Sequence, residues 1–261
     1  MPWRANGDWL CLIWTPARPI DLPWCRFDGL LAQGNRAVFC GARPDGPAAI
    51  VQLTFGGAQP ETILRAASST DIPDGSISRP HAITFPTENG QVAHAFFYAP
   101  ANADYCPMEG ERPPLIVMGH GGPTGQADSG YSAKVQFWTT RGFAVADVNY
   151  GGSTGYGRAY RRRLLGQWGI VDVDDCCNAA KYLVAEGLVD PDRLIIVGGS
   201  AGGYTTLSAL AFRSVFKAGR SSYGIGDLET LARDTHKFES RYPAPYRRIG
   251  LSDPVPARRG R

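Results

Sequence analysis

The sequence has no apolar run long enough to cross a bilayer, so a helical membrane anchor is excluded. The opening Met1-Pro2-Trp3-Arg4 lacks the charged-then-apolar layout of a secretory leader, and a cytoplasmic protein is expected. Six cysteines (11, 25, 40, 106, 176 and 177) show no metal-ligand spacing, which argues against a zinc site. Cys176 and Cys177 are adjacent on an expected helix and read as reduced core thiols. Charge of one sign is also scarce. A net charge of +3 is too mild for a nucleic-acid partner. There is no Gly-x-Gly-x-x-Gly, and no lysine follows a glycine-rich turn, so neither a dinucleotide nor a phosphate-binding loop is expected, and no cofactor or metal. Histidine is limited to positions 81, 94, 120 and 236. Few residues are therefore available as a general base.

What the chain does have is Leu194-Ile195-Ile196-Val197-Gly198-Gly199-Ser200-Ala201-Gly202-Gly203. The aliphatic run suits a strand buried on both faces. It breaks into Gly198-x-Ser200-x-Gly202, and residues 205 to 212 then look helical. With 32 glycines in the chain, the pentapeptide alone is weak evidence. Strand, glycine turn and helix in succession are the context that gives it meaning, as a nucleophile elbow. A Cβ at Gly198 or Gly202 would press on a neighbouring strand or helix. Ser200 is then held exposed at the carboxyl end of a sheet, beside the free N–H groups of a new helix.

Residues 1–75 read as all-β. Apolar segments at Trp9–Trp14, Phe27–Leu31, Ala37–Cys40 and Ala49–Phe55 alternate with Gly34-Asn35, Pro44-Asp45-Gly46 and Gly56-Gly57, the pattern of a strand meander. That is too little for a closed sandwich but enough for one or two propeller blades. A small β-domain of its own is the alternative. The polar stretch Asp71–Pro80 is the expected junction, and residues 76–261 form the second domain. In it, Ala82–Phe85 and Val92–Tyr98 flank Glu88-Asn89-Gly90, a hairpin signal. Strands are expected at Leu115–Met118 and Phe143–Val148, with a helix at Ser132–Thr140 between them. Val173, Cys176, Cys177, Ala180, Leu183 and Val184 recur at helical spacing, and Gly187 ends that helix. Alternation of strands and helices predicts an α/β fold with a mostly parallel sheet and its site along one edge.

Three motifs stand in order: His120-Gly121-Gly122-Pro123, Asn149-Tyr150-Gly151-Gly152-Ser153-Thr154-Gly155-Tyr156-Gly157, and Gly198-Gly199-Ser200-Ala201-Gly202-Gly203-Tyr204. Over roughly residues 80 to 240 they resemble the peptidase domain of the prolyl oligopeptidase family of serine peptidases, closest to its acylaminoacyl-peptidase and dipeptidyl-peptidase-like branch. The resemblance implies an α/β-hydrolase domain preceded by part of a β-propeller. It implies Ser200 as nucleophile, with the backbone N–H groups of Gly122 and Ala201 as oxyanion hole. His120, Tyr204 and Tyr223 are expected at the substrate pocket, with core aromatics as the equal alternative for the two tyrosines and shaping of the oxyanion loop as the alternative for His120. A short peptide is the implied partner, and the oligomeric state is left open.

The acid and histidine of that family follow later strands, in the order Ser, Asp, His. Only 61 residues follow Ser200, room for about two βα units. Residues 216 to 221 read as a strand, and Asp227–His236 uses more of the remainder. The tail Tyr242–Arg261 has four prolines, five arginines and no strand-like run. The expectation is therefore an α/β-hydrolase incomplete at its carboxyl end and truncated at both ends, lacking the triad Asp and His. Asp234 and His236 are two apart and would not face each other on a helix. The alternatives are a carboxylesterase, which uses the same elbow, and a non-catalytic interaction module.

Overall fold

The computed structural model describes residues 9–11, 18–56, 60–69, 73–228 and 231. A first pair of strands, β1 (Trp9–Cys11) and β2 (Arg18–Ile20), is antiparallel. Next comes a four-stranded antiparallel meander of β3 (Arg26–Gln33), β4 (Arg36–Arg43), β5 (Gly46–Thr54) and β6 (Glu61–Ala66), in spatial order β3-β4-β5-β6. The inner strands β4 and β5 alternate between buried and more exposed positions, whereas β3 and β6 are mostly exposed. Ala49, Val51 and Leu53 of β5 are buried with Ala37 and Phe39 of β4, around Trp24. Trp24 lies so close over β4 that a Cβ at Gly41 would stand 2.5 Å from its ring, so only glycine fits there.

The larger sheet holds six strands in the order β12-β11-β9-β10-β8-β7. They are β7 (His81–Pro86), β8 (Val92–Tyr98), β9 (Leu115–Gly119), β10 (Ala144–Asn149), β11 (Leu194–Gly199) and β12 (Ala218–Ser222). The β7–β8 hairpin turns at Asn89, whose φ of 58° is the left-handed conformation that asparagine tolerates. β8 runs antiparallel to β10, whereas β10, β9, β11 and β12 run parallel. Their four carboxyl ends therefore share one edge.

Among the described residues, the α-helices defined at both ends are α1 (Ala133–Thr139), α2 (Gly157–Arg162), α3 (Val171–Ala185) and α4 (Ala201–Phe212). Ser132 caps α1 by accepting from the Val135 N–H. α3 packs as its periodicity predicts, with Val173, Cys176, Cys177, Ala180 and Leu183 buried. They join Leu115, Val117, Ala146, Val148 and Ile196 in one core. Side chains on the sheet's opposite face, Ile116, Met118 and Val145, pack with Val135 of α1. The two sheets meet at the start of α1. The Arg26 guanidinium donates to Asp128 at 2.9 Å, and the Tyr131 N–H donates to the Arg43 carbonyl at 2.6 Å.

Candidate active site

The site is built from the loops that leave the four parallel strands. β11 ends at Gly199, and α4 starts at Ala201, four residues earlier than the sequence pattern suggested. Ser200 alone makes the turn, at φ 54° and ψ −121°. An L-residue in this conformation carries strain of roughly 1–3 kcal/mol, which the surroundings must hold in place. They do so by contact. A Cβ at Gly198 would run into the Gly202 backbone, and one at Gly202 would stand 2.8 Å from the His120 carbonyl. The strand, the turn and the β9 loop are thus packed backbone on backbone. The Ser200 N–H donates to the Ser222 carbonyl at 3.1 Å, tying the turn to the end of β12. Ser200 itself is exposed.

The β9 loop, His120 to Ala127, lies directly against this turn. A Cβ placed on Gly121 would stand 3.7 Å from Cβ of Ser200. Gly122 follows at φ 63°, a left-handed position that favours glycine. Ala201 is buried and is the first residue of α4, so its N–H has no acceptor within the helix.

The sequence placed His120 in the pocket, and the structure places it elsewhere. Its ring stacks on Tyr150 with centroids 4.2 Å apart. Nδ1 faces the Gly121 carbonyl at 3.0 Å, and Nε2 meets Ser153 Oγ at 2.7 Å. Ser153 Oγ donates to the Tyr150 carbonyl at 2.8 Å, and the Tyr150 hydroxyl also lies 3.2 Å from Nδ1, so both ring nitrogens are engaged within the two loops. Burial pushes the His120 pKa down to about 4, so the ring is neutral at pH 7. His120 braces the β9 loop against the β10 loop. Its two nitrogens are committed to that task.

Tyr204 takes the core position that is its alternative reading. Its ring meets Trp168 edge-on at 5.5 Å and packs against the main core, not in a pocket. Tyr223 is different. It follows β12 at φ 41°, is 86% exposed, and its hydroxyl would stand 2.9 Å from a Cβ on Gly199. Of the three suggested pocket residues, it is the one brought beside the turn. His81 is exposed. His94 stacks on Tyr156 at 4.3 Å and bonds Thr84 Oγ1 at 3.0 Å. Asp234, His236 and the tail 242–261 lie outside the described residues. Among the described residues, no histidine is hydrogen-bonded to Ser200.

Two residues that the sequence reading passed over secure these loops. Asp172 and Asp175 are buried one turn apart on α3. Asp172 accepts from the Gly169 N–H at 2.6 Å and from Thr205 Oγ1, on the second turn of α4, at 2.5 Å. Asp175 accepts from the Gly151 N–H in the β10 loop at 2.6 Å and from Thr87 Oγ1 at 2.5 Å. One helix thus steadies both the elbow and the β10 loop. Two carboxylates on an otherwise apolar helical stripe were the available signal.

Burial raises the Asp172 pKa to about 6 against its hydrogen bonds. The folded protein therefore holds this proton more tightly than the unfolded chain, whose carboxyl titrates near 3.8. Stability from this group is full below about pH 4 and is lost as pH rises to about 6. The loss is on the order of 3 kcal/mol. Asp175 and Asp147 are raised by burial too, so the test is a difference. Asp172→Asn should flatten the stability profile between pH 4 and 6 relative to wild type, measured by urea unfolding. Superimposable profiles would show that Asp172 is ionised throughout.

A serine on a strained strand-to-helix turn, at the carboxyl edge of a parallel sheet and flanked by a glycine loop, defines an α/β-hydrolase elbow. Residues 129–249 match the prolyl oligopeptidase family. The structure of a puromycin-hydrolyzing peptidase from Mycobacterium tuberculosis superimposes on 89% of this chain with TM-score 0.86 and 42% identity. Pyrococcus horikoshii acylaminoacyl peptidase matches over 84% of the chain, with TM-score 0.68 and 27% identity. An uncharacterized peptidase of Bacillus subtilis, YuxL, is 30% identical over 78% of it. Over the matched spans the chain is similar to the serine peptidases of the prolyl oligopeptidase family. Its architecture is part of a β-propeller followed by part of an α/β-hydrolase domain, and it spans about a third of those relatives' length (36%, 34% and 33%).

Proposed function

We propose that Ser200 is the nucleophile of a serine peptidase that cleaves short peptides through an acyl-enzyme. The observation that carries this reading is the backbone of Ser200, an exposed non-glycine residue held at φ 54° by tightly packed glycines. A fold tolerates such strain where a side chain must be presented. Ser200 Oγ attacks the scissile carbonyl, its proton passes to a general base, and the N–H groups of Gly122 and Ala201 receive the oxyanion. Collapse of the tetrahedral species expels the amine, which takes the proton from that base, and leaves the acyl group on Ser200. Water attacks in the second half, with its proton removed by the same base. Tyr223 borders the substrate.

Neither His81, His94 nor His120 supplies that base, by the geometry above. The 261 residues then leave only His236, or a histidine contributed from outside them. The reading extends to the chain's domains: residues 1–75 as the propeller part and 76–261 as the hydrolase part. A carboxylesterase would use the same elbow. Comparing an aminoacyl-nitroanilide, puromycin and a nitrophenyl ester of one acyl group separates amide from ester preference.

The first experiment joins the chain to the carboxyl-terminal hydrolase segment of a relative and labels it with a fluorophosphonate probe, read by mass spectrometry at Ser200. Wild type should acquire the label at Ser200, and Ser200→Ala should not, with unchanged melting. Equal labelling of the two proteins would remove Ser200 from its role. No label on wild type would favour the non-catalytic module.

A further inference from the structure

The Asn149–Gly157 motif contributes no atom to the chemistry above, yet its first residue is fully buried and unusually well bonded. Asn149 closes β10 with 0% exposure. Its Oδ1 accepts from the Ala127 N–H at 2.8 Å, and its Nδ2 donates to the Ala127 carbonyl at 3.1 Å. Nδ2 also donates to the Tyr156 hydroxyl at 3.1 Å. Its own backbone carbonyl receives the Tyr160 hydroxyl at 2.6 Å. One side-chain amide therefore grips both polar groups of a single peptide residue, as a strand neighbour would.

Ala127 is the far end of the loop that carries Gly122. The near end is fixed by His120 on Ser153 and Tyr150, and the middle by the Thr154 N–H donating to the Gly125 carbonyl at 3.0 Å. Gly122 stands out between these anchors. A side chain there would meet nothing within 4 Å. The Gly122 carbonyl accepts from the Thr124 N–H within the loop, the anchors at the two ends fix where that loop stands, and an oxyanion donor must be placed to within a fraction of an ångström to act.

We infer that Asn149 is a positioning residue for the oxyanion loop, acting through its two hydrogen bonds to Ala127. This rests on the assignment of Gly122 as an oxyanion donor. Asn149→Asp keeps size and the acceptor but removes both Nδ2 donors and sets a carboxylate against the Ala127 carbonyl. Asn149→Ser removes both contacts without adding charge. If the aspartate variant fails to fold, the serine variant is read in its place.

The test has two readouts, exchange on the 261-residue chain and labelling on that chain joined to a relative's carboxyl-terminal hydrolase segment. The first is hydrogen exchange, followed by mass spectrometry, over residues 121–127, with α3 and α4 as internal references. Exchange should rise at least about tenfold over 121–127 in the variants and stay at the wild-type level in the two helices. The second is the fluorophosphonate reaction at Ser200, resolved into a saturation constant and a maximal rate. The maximal rate should fall by about ten- to a hundredfold, in line with loss of one oxyanion donor, with the saturation constant unchanged. A purely structural asparagine would not split the two in this way. Unchanged exchange over 121–127 would overturn the inference, as would a rise spread over α3 and α4. A local rise with an unaltered maximal rate would overturn it as well. If wild type takes no label at Ser200, the proposed function fails by itself. The exchange result then decides whether Asn149 holds the loop.

Discussion

The 261-residue chain should cleave an aminoacyl-nitroanilide at least about a thousandfold more slowly than the same chain joined to the carboxyl-terminal hydrolase segment of a relative. A neutral serine is a poor nucleophile without a base to accept its proton. His120 has both nitrogens engaged away from Ser200, and His94 is stacked on Tyr156. In a well-studied protease, removing the whole triad lowers turnover by about a million-fold, and the oxyanion hole and binding retain about a thousand- to ten-thousandfold over water. This chain has the elbow and the loops for that remnant. Steady-state rates of the two proteins at equal concentration make the comparison. Rates within about tenfold, or roughly 1.4 kcal/mol in barrier, would instead assign the base to His236.

Gly202→Ala is expected to be, with Gly198→Ala, among the most damaging single methyls at the elbow. The added carbon would stand 2.8 Å from the His120 carbonyl oxygen and also overlap the Gly119 backbone. Neither neighbour is the flexible end of a side chain. Relief requires α4 to lift from β9, which disturbs the Ser200 turn and the core beneath Ala201 together. Overpacking ordinarily costs about 1–3 kcal/mol, and backbone against backbone belongs at the upper end or beyond. For a chain of this size that is a fall in melting temperature of about 6–12 °C. Gly122→Ala is the control. It meets no neighbour and bears only the left-handed backbone penalty of about 1 kcal/mol. Calorimetry on the two variants tests the ranking, and equal falls would show that the elbow is loosely packed.

The elbow was legible in the sequence because everything that makes it is local. An aliphatic strand, glycines two residues either side of a serine, and a helix lie within twenty residues. α3 was legible through its period, and the β7–β8 hairpin through Asn89-Gly90. β6 was not. Its residues Glu61–Ala66 are almost all exposed, so no alternation marks them, and β5 alone pairs with the strand. Side-chain roles depended on distant partners. Asp172 and Asp175 bond groups 33 and 88 residues away, which no spacing rule reaches. The part of His120 in shaping the oxyanion loop was legible from its place in the turn, but its partners Tyr150 and Ser153 were not, because they belong to a loop thirty residues on.

The junction of the two sheets has a mechanical consequence. The tether from the small sheet arrives at Asp128 through Arg26 and at Tyr131 through Arg43, and Asp128 is the residue after Ala127. Any rocking of the small sheet is thus delivered to the loop that carries Gly122, one peptide beyond its anchor. The exposed Arg26–Asp128 pair is a compliant link. The buried Asn149 amide on Ala127 is a stiff one. Placed in series, they work as a spring and a stop. Motion is absorbed at Asp128 and halted at Ala127, and Gly122 and the four residues between it and Ala127 are insulated from the sway of their neighbour.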